Sequence, residues 1–99
     1  MEYCVYILTN KSNSVMYIGV TGDLQRRLYE HKKELLDGFT KKYHAHKLVY
    51  YEVCGNPADA IAREKSLKGL LRRRKDELVS AFNPEWKDLA DDLFPGAFD

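Results

Sequence analysis

Residues 3–20 read YCVYILTNKSNSVMYIGV, two runs of β-branched and aromatic residues separated by a polar cluster. The first run, Tyr3 to Leu8, and the second, Val15 to Val20, have the composition of β-strands. The residues between them, from Thr9 to Ser14, favour a turn. Two strands joined by so short a loop pair antiparallel, so the sequence predicts a β-hairpin at the start of the chain.

The rest of the sequence predicts helices around one more strand. Thr21 and Asp23 offer helix-capping side chains and Asp37-Gly38 is a helix stop, so a first helix is expected to end near Leu36. The elements predicted beyond it are a basic loop over residues 38–45, a strand from Lys47 to Val53, a helix from about Ala58 to Leu71, a stretch from Arg72 to Phe82 that either continues this helix or forms another, and a short helix after Pro84. The order β-β-α-β-α-α indicates an α+β domain, a small three-stranded antiparallel sheet flanked by helices.

Length and composition exclude several classes of protein. The 99 residues, 44% of them hydrophobic and 31% charged, suit one small globular domain. No apolar run approaches the roughly 20 residues of a membrane span, and no secretory signal is expected. Two cysteines, Cys4 and Cys54, are too few for a disulfide framework or a four-cysteine zinc site, so a cytoplasmic location is expected.

The net charge of +1 conceals an asymmetry along the chain. Residues 1–75 carry 15 basic and 8 acidic side chains, a net charge of +7, and residues 76–99 carry 1 basic and 7 acidic side chains, a net charge of −6. A basic body indicates a polyanionic partner, although a solvated surface with a solubilising acidic tail fits these charges equally well.

The basic residues occur in groups, among them Lys41-Lys42 beside Tyr43 and the run Arg72-Arg73-Arg74. Lysine and arginine neutralise phosphates, and aromatic rings stack on bases. Any one of these groups alone is more commonly a solvated surface. Together they favour a nucleic acid as the partner.

Two predicted helices place an ionisable residue on an apolar stripe. His31 does so in the first helix, with Arg27 one turn before it, and Glu64 does so in the second. The stripes are Leu24, Leu28 and Leu35 in the first helix and Ala60, Leu67 and Leu71 in the second. Singly, these are most simply a buried, hydrogen-bonded histidine and a structural salt bridge. Two such residues directed at one sheet predict a polar pocket on one of its faces.

The hairpin contributes three further candidates. Pairing around its loop would bring Tyr6 and Tyr17 close together on one face, although tyrosines in strands most often only pack. Gly19, inside the second strand, predicts either a bulge or the close approach of another group to the backbone.

Several short motifs follow one another in a fixed order. Tyr17-Ile18-Gly19 stands 11 residues after Tyr6, and Arg27 ends the run TGDLQRR. Further along come FTKKY at residues 39–43, LVYYE at 48–52, AIAREK at 60–65, and Asn83-Pro84 followed by Trp86. Spaced motifs in order are far more specific than a lone tripeptide, and this set resembles the GIY-YIG nuclease domain, most closely its small stand-alone bacterial members.

The resemblance spans residues 3–86 and has one departure. Residues 4–6 read Cys-Val-Tyr, so only the tyrosine of the first family motif is present. The chemical groups of the family are nevertheless kept. The resemblance implies a single GIY-YIG-like domain over residues 1–86, with residues 87–99 as an acidic C-terminal tail.

The resemblance also implies site residues. The catalytic residues would be Tyr6, Tyr17, Arg27, His31 and Glu64, with Glu64 as the ligand of one Mg²⁺ or Mn²⁺ ion. Arg27 would face the phosphate, and either tyrosine, its pKa lowered by Arg27 and the metal, would take a proton from the attacking water. His31 would be a second proton acceptor or an orienting group. The resemblance also implies nucleic-acid contacts at Gly19 and at Asn83, which would bond a phosphate oxygen or close the pocket. The basic groups described above supply the other expected contacts, which are Lys41, Lys42, Tyr43, Arg72, Arg73 and Arg74.

Two functions remain open from the sequence. The first is a metal-dependent endonuclease that hydrolyses phosphodiester bonds, with structured DNA favoured over RNA as substrate and DNA repair as its setting. The second is a nucleic-acid-binding module of the same fold with little or no cleavage, which a domain lacking a separate DNA-binding unit makes a serious alternative. A monomer is the default expectation, and metal-dependent turnover separates the two functions.

Overall fold

The central element of the fold is a three-stranded antiparallel sheet, as the sequence predicts. The computed structural model describes residues 2–99. Its strands are β1 (Tyr3–Thr9), β2 (Met16–Thr21) and β3 (Lys47–Cys54), in the spatial order β2-β1-β3. Tyr6 pairs with Gly19 and Leu8 pairs with Tyr17, which confirms the hairpin. β1 is therefore the central strand, and β2 and β3 are the edges.

Five helices accompany the sheet and confirm the α+β class. They are α1 (Leu24–Lys32), α2 (Phe39–Lys42), α3 (Pro57–Lys68), α4 (Arg72–Phe82) and α5 (Ala90–Leu93). The Asp23 side chain caps α1 by accepting a hydrogen bond from the Arg26 N–H, as the sequence predicts. The predicted basic loop over residues 38–45 contains the short helix α2. None of the helices within residues 2–99 combines the length and apolarity that crossing a bilayer requires.

α3 and α4 are separate helices, which resolves the alternative that the sequence leaves open. The Asn56 side chain caps α3 by accepting from the Asp59 N–H at 2.9 Å. The helix ends before Gly69, and Leu71 precedes α4 in an extended conformation. Leu71 is 66% exposed, so its predicted place on the buried stripe is wrong.

The first helix ends earlier than the sequence predicts. α1 stops at Lys32, and Glu34 then adopts a left-handed backbone with φ of 54°. Leu35, predicted on the buried stripe, is 62% exposed. The early turn brings Thr40 back to His31. A longer helix would instead carry the chain away from His31 by 1.5 Å per residue.

The sheet separates two apolar cores because successive side chains of β1 point to opposite faces. One core contains Val5, Ile7, Ile18, Val49, Tyr50, Ala60, Leu67 and Val79, and the other contains Tyr6, Leu8, Leu28, Ala45, Leu48 and Ala90. α3 therefore packs on the first face and α1 on the second. This division decides which predicted site residues can meet.

The C-terminal segment, residues 87–99, packs onto the domain. Ala90 is fully buried in the second core, and Phe94 is half-buried against it. The Leu89 N–H donates to the Leu48 carbonyl at 2.8 Å, and the Leu48 N–H donates to the Asp88 carboxylate at 3.2 Å. The segment predicted as an acidic tail therefore covers one edge of β3. Its apolar residues, spaced among the acids, account for this packing.

Candidate active site

A chain of three buried polar side chains lies on the second face of the sheet. The Tyr6 hydroxyl is 3.0 Å from His31 Nε2, and His31 Nδ1 is 3.1 Å from Thr40 Oγ1. All three residues are at most 7% exposed. β1, α1 and α2 each supply one member, so the chain links three separate elements. Because both ring nitrogens are bonded, the His31 ring is held in one orientation.

The absence of a side chain at Gly19 leaves room for the phenol of Tyr6. A Cβ atom at residue 19 would lie 2.6 Å from both Cζ and Oη of Tyr6, closer than real contacts allow. The predicted close approach is therefore correct, and the approaching group is the phenol of the paired strand. β2 pairs with β1 without a register shift at this point. Gly19 thus has a packing role, and its nucleic-acid contact stays a prediction.

Tyr17 lies beside the polar chain, as the hairpin register predicts. Its ring centroid is 6.3 Å from that of Tyr6 and 5.7 Å from that of His31. On its other side Tyr17 stacks on Phe39, at 6.3 Å and an interplanar angle of 27°. Tyr17 is only partly buried, whereas Tyr6 is fully buried. Tyr17 is thus the more accessible of the two phenols.

Arg27 brings a buried N–H to a cavity, where it forms an ion pair with Glu30 but makes no hydrogen bond to any described residue. The cavity, of about 490 Å³, is lined by Thr21, Asp23, Arg27 and Glu30, among others. Arg27 Nε is 3.2 Å from Glu30 Oε1 without a hydrogen bond between them. Within residues 2–99 this buried N–H has no hydrogen-bond partner. Such a donor is costly in a folded protein unless a ligand completes it, and an anionic oxygen suits a guanidinium best.

Burial and Arg27 set the protonation of the polar chain. Burial raises the pKa of Tyr6, the nearby Tyr17 adds to the rise, and the Arg27 guanidinium opposes it. Burial, and then the Arg27 charge, lowers the pKa of His31 to about 4. At neutral pH, Tyr6 is therefore a phenol and His31 a neutral imidazole. The predicted lowering of a tyrosine pKa by Arg27 does not hold for Tyr6 here, because burial has the larger effect.

Glu64 lies on α3, the helix that packs on the first face of the sheet. Its side chain is 20% exposed on the stripe between Ala60 and Leu67, and its carboxylate is 3.4 Å from Lys68 Nζ. Because α3 packs on the first face, the predicted single pocket formed by both helices on one face is wrong. α3 does pack against the edge strand β2. Glu64 is thus a half-buried carboxylate whose protein partner is an exposed lysine.

The surface around α2 combines aromatic rings with lysines. The Phe39 and Tyr43 rings are 4.8 Å apart and are 42% and 40% exposed. Lys42 Nζ lies 5.3 Å from the Tyr43 ring centre, and Lys41 is exposed beside Asp37. With Tyr17, the two rings form a row that leads from the polar chain to the surface. The structure therefore places the predicted residues of α2 next to the site.

The three arginines of α4 differ in their contacts. Arg72 donates to the backbone carbonyls of Asn13 and Ser14 in the hairpin loop and to Asp76 of its own helix. Its guanidinium thus already has partners within the protein, and its role as a nucleic-acid contact stays a prediction. Arg73 is exposed, and Arg74 is exposed near Glu77.

Asn83 also has a structural role in place of the predicted nucleic-acid contact. It is buried, and its Nδ2 donates to the carbonyls of Val49 and Lys87 at 3.1 and 2.8 Å. Its Oδ1 accepts from the Lys87 N–H. Asn83 therefore holds the turn after α4 against β3, and its amide is fully engaged in doing so.

Comparison with known proteins identifies the family. The sequence profile of the GIY-YIG catalytic domain matches residues 2–77. The chain belongs to the GIY-YIG family. GIY-YIG domains form a family of nucleases, and in this one the tyrosines, Gly19 and Arg27 all fall within the matched residues. The expected single domain thus has a family counterpart over most of its length.

The relatives of this GIY-YIG domain are small microbial proteins. A UPF0213 protein of Clostridium perfringens is 37% identical over 81 residues, which cover 82% of this chain and 85% of the relative. A UPF0213 protein of Pseudomonas aeruginosa is 33% identical over 72 residues, 73% of this chain and 69% of the relative. The solution NMR structure of a UPF0213 protein from Bacillus halodurans superposes with a TM-score of 0.57 at 30% identity, covering 92% of this chain and 96% of that one.

Two residues of the site, Thr40 and Phe39, are given no role by the sequence. Both belong to the FTKKY motif of the resemblance, but only the lysines and Tyr43 of that motif are predicted to make contacts. The only signal for Thr40 is indirect, since a buried histidine with two ring nitrogens needs two partners. The hairpin residues Tyr6, Tyr17 and Gly19, in contrast, are brought together as the sequence predicts.

Proposed function

We propose that this chain is a metal-dependent endonuclease that hydrolyses phosphodiester bonds of nucleic acid, with structured DNA favoured over RNA as substrate. The observation that carries the proposal is the buried Nε of Arg27, which has an ion pair with Glu30 but no hydrogen bond within the described chain, beside the Tyr6–His31 pair in a GIY-YIG domain. A phosphate oxygen would complete this donor. The same contact would neutralise charge that builds on the phosphate in the transition state.

The phenols and the imidazole would manage the proton of the attacking water. Either Tyr17 or Tyr6 would take this proton, Tyr17 being the more accessible and Tyr6 the one bonded to a neutral histidine. His31 is unprotonated at neutral pH and is therefore able to accept a proton. Proton transfer of this kind contributes roughly 10²–10⁴-fold to rate in enzymes.

The residues present fit a Mg²⁺ or Mn²⁺ ion held mainly by waters and substrate. Within residues 2–99 no group of three His, Cys, Asp or Glu side chains lies together, so a cage made only of protein ligands is not available. Glu64 offers one half-buried carboxylate, and its partner Lys68 is a flexible surface side chain. One carboxylate with retained waters is a common Mg²⁺ site. When bound, the ion would polarise the scissile phosphate.

The substrate would cross the sheet edge formed by β2. Arg27 lies on α1, which packs on the second face of the sheet, Glu64 lies on α3, which packs on the first face, and β2 is an edge strand that α3 contacts. A phosphodiester lying along this edge would meet both sets of groups. Phe39, Tyr43, Lys41 and Lys42 would contact the nucleic acid on the α2 side, where aromatic rings suit bases and lysines suit phosphates.

The proposal also covers the location, the oligomeric state and the biological use of the enzyme. Cys4 and Cys54 are free thiols, which suits the reducing cytoplasm as the location. A monomer is the proposed working form, and DNA repair is the proposed use of a nuclease for structured DNA. Arg73 and Arg74 would add long-range attraction for the polyanion.

The test is incubation with labelled duplex, flapped, branched and single-stranded DNA and RNA, with Mg²⁺, Mn²⁺ or EDTA. We expect cleavage that requires the metal and that Glu64→Gln abolishes while binding and fold are kept. Glu77→Gln, which removes an exposed carboxylate of α4, is the matched control and should cleave normally. Binding without cleavage under every condition would replace the nuclease with the binding module, which the exposed Phe39–Tyr43 surface favours as the second candidate.

A further inference from the structure

Thr40 is the last member of the buried polar chain of Tyr6, His31 and Thr40. It is 7% exposed, and its hydroxyl is bonded to His31 Nδ1. His31 Nε2 is bonded to the Tyr6 hydroxyl. The direction of the hydrogen bond between Thr40 and Nδ1 therefore decides whether Nε2 of His31 donates a proton to Tyr6 or accepts one from it. A neutral imidazole carries one N–H, so only two arrangements of protons are consistent with these contacts.

In the first arrangement Nδ1–H donates to Thr40 and the Tyr6 hydroxyl donates to Nε2. The Thr40 hydroxyl proton is then the one with no acceptor inside the chain. In the second arrangement the Thr40 hydroxyl donates to Nδ1 and Nε2–H donates to Tyr6. The Tyr6 hydroxyl proton is then the one without an acceptor. Tyr6 is fully buried, whereas Thr40 is 7% exposed. A hydroxyl without an acceptor therefore costs less free energy at Thr40 than at Tyr6, which favours the first arrangement.

The charge of Arg27 favours the same arrangement. Its guanidinium acts on both Tyr6 and His31. A phenol that donates its proton to Nε2 turns the lone pairs of its oxygen toward its other neighbours, and a cation beside it stabilises them. In the second arrangement those lone pairs are occupied by Nε2–H, and a proton faces the guanidinium instead.

We propose that Thr40 is a positioning residue that holds Nδ1 of His31 protonated and so keeps Nε2 free to accept the hydroxyl proton of Tyr6. The inference rests on the proposed nuclease function only for its consequence. Tyr6 can then accept a proton from water on its oxygen while its own proton passes to Nε2, and His31 becomes an imidazolium whose Nδ1–H stays bonded to Thr40. One proton enters and one leaves the phenol, so Tyr6 keeps its charge.

Binding of a phosphate would strengthen this relay. Arg27 is one of the groups that disfavour a charged His31. A phosphate that pairs with Arg27 would offset this charge, and His31 would then hold the incoming proton more readily. Thr40 would remain its acceptor throughout, because Nδ1–H is present in both the neutral and the charged ring.

The test is the tautomer of His31, read from the ¹⁵N shifts of its ring nitrogens in the free protein. We expect an unprotonated Nε2 and a protonated Nδ1. Thr40→Val, which removes the hydroxyl at nearly constant volume, should give a mixture of tautomers, and Thr40→Ser should restore the single form. Thr9→Val removes another buried threonine hydroxyl, one bonded to Asn13, and should leave His31 unchanged.

Several outcomes would overturn the proposal. A protonated Nε2 in the wild type would do so, as would the same tautomer in Thr40→Val as in the wild type. If Thr40→Val does not fold, the wild type and Thr40→Ser still decide the question. A protein that cleaves nothing would end the nuclease proposal but leave the tautomer result standing. In an active protein, Thr40→Val should slow single-turnover cleavage about tenfold and Thr40→Ser should not.

Discussion

The phenol of Tyr6 fills the space that a side chain at residue 19 would need, so the two paired residues of β1 and β2 form one packing unit. The hydroxyl that Gly19 accommodates is the one bonded to His31. Glycine in the middle of a strand is otherwise unfavourable. Its presence here is explained by the position of one catalytic candidate.

Gly19→Ala should destabilise the protein and displace the Tyr6 hydroxyl. The new methyl group would lie 2.6 Å from Tyr6, and overpacking of this kind costs about 1–3 kcal/mol. Gly55→Ala is the matched control, because a Cβ at residue 55 meets nothing within 4 Å. Urea unfolding of the two variants should separate them clearly. Equal unfolding midpoints would show that the Tyr6 ring moves aside without cost.

Arg27→Ala should slow cleavage by on the order of a hundredfold, the usual effect of losing one donor to a developing negative charge. Arg26→Ala is the neighbouring control, because its side chain is 77% exposed and should affect affinity mildly. Arg27→Lys should rescue only partly, since an ammonium lacks the bidentate fork. Single-turnover cleavage under saturating enzyme measures chemistry apart from binding. Equal, modest losses in both alanine variants, restored at low salt, would make Arg27 part of the basic surface only.

His31 should make stability fall between pH 6.5 and pH 4. Its pKa is about 4 in the folded chain and near 6.5 when unfolded, so the unfolded chain binds more protons across this range. Folding stability is therefore lost as the pH falls, by about 3 kcal/mol in total from this group. Chemical unfolding at a series of pH values measures the effect. His31→Gln should flatten this part of the profile, and an unchanged profile in this variant would contradict the prediction.

Arg72→Ala should lower the stability of the fold, whereas Arg73→Ala should change nucleic-acid binding. Arg72 holds the hairpin loop through two carbonyls, so its loss should cost about 1–2 kcal/mol of stability. Arg73 is exposed, and its loss should leave stability unchanged while reducing the salt dependence of nucleic-acid binding by roughly one phosphate contact. Unfolding curves and salt titrations of binding supply the two measurements. A stable Arg72→Ala with a reduced salt slope would return Arg72 to the binding surface.

Ala90→Asp should unfold the C-terminal segment from the domain. The new carboxylate would be buried without a partner, at a cost of about 3 kcal/mol or more. Asp91→Ala, one residue along and exposed, is the control and should be nearly neutral. Unfolding midpoints compare the two. Equal stability would mean that residues 87–99 contribute nothing to the fold.

Local patterns suffice to predict the sheet but not the ends of the helices. The hairpin follows from composition and turn residues that act within a few positions of one another. α1 instead ends at a turn in which Glu34 is left-handed without being a glycine, and Thr40 then returns to His31, a tertiary contact that local patterns do not show. Leu35 fits a helical stripe and is nevertheless exposed, because the chain turns before reaching it.

The candidate site, like the fold, is predictable from the sequence only in part. Tyr6, Tyr17 and Gly19 meet through strand register, which the sequence specifies. Glu64 has the expected stripe, but a stripe does not say which face of the sheet its helix covers, and α3 covers the opposite one. Burial also reverses the expected shift in the pKa of Tyr6, an effect that depends on the whole surrounding structure.

The contacts between β3 and the C-terminal segment mean that the domain completes its folding only late in synthesis. The Leu48 N–H donates to the side chain of Asp88, which lies 40 positions later, and Ala90 completes the second core. A ribosome releases the N-terminal parts first, so all three strands and the four preceding helices are made while the apolar surface around Leu28 is still exposed to water. The nascent chain thus holds the catalytic candidates before it holds a closed domain, and its period of greatest vulnerability to aggregation lasts until these final residues emerge.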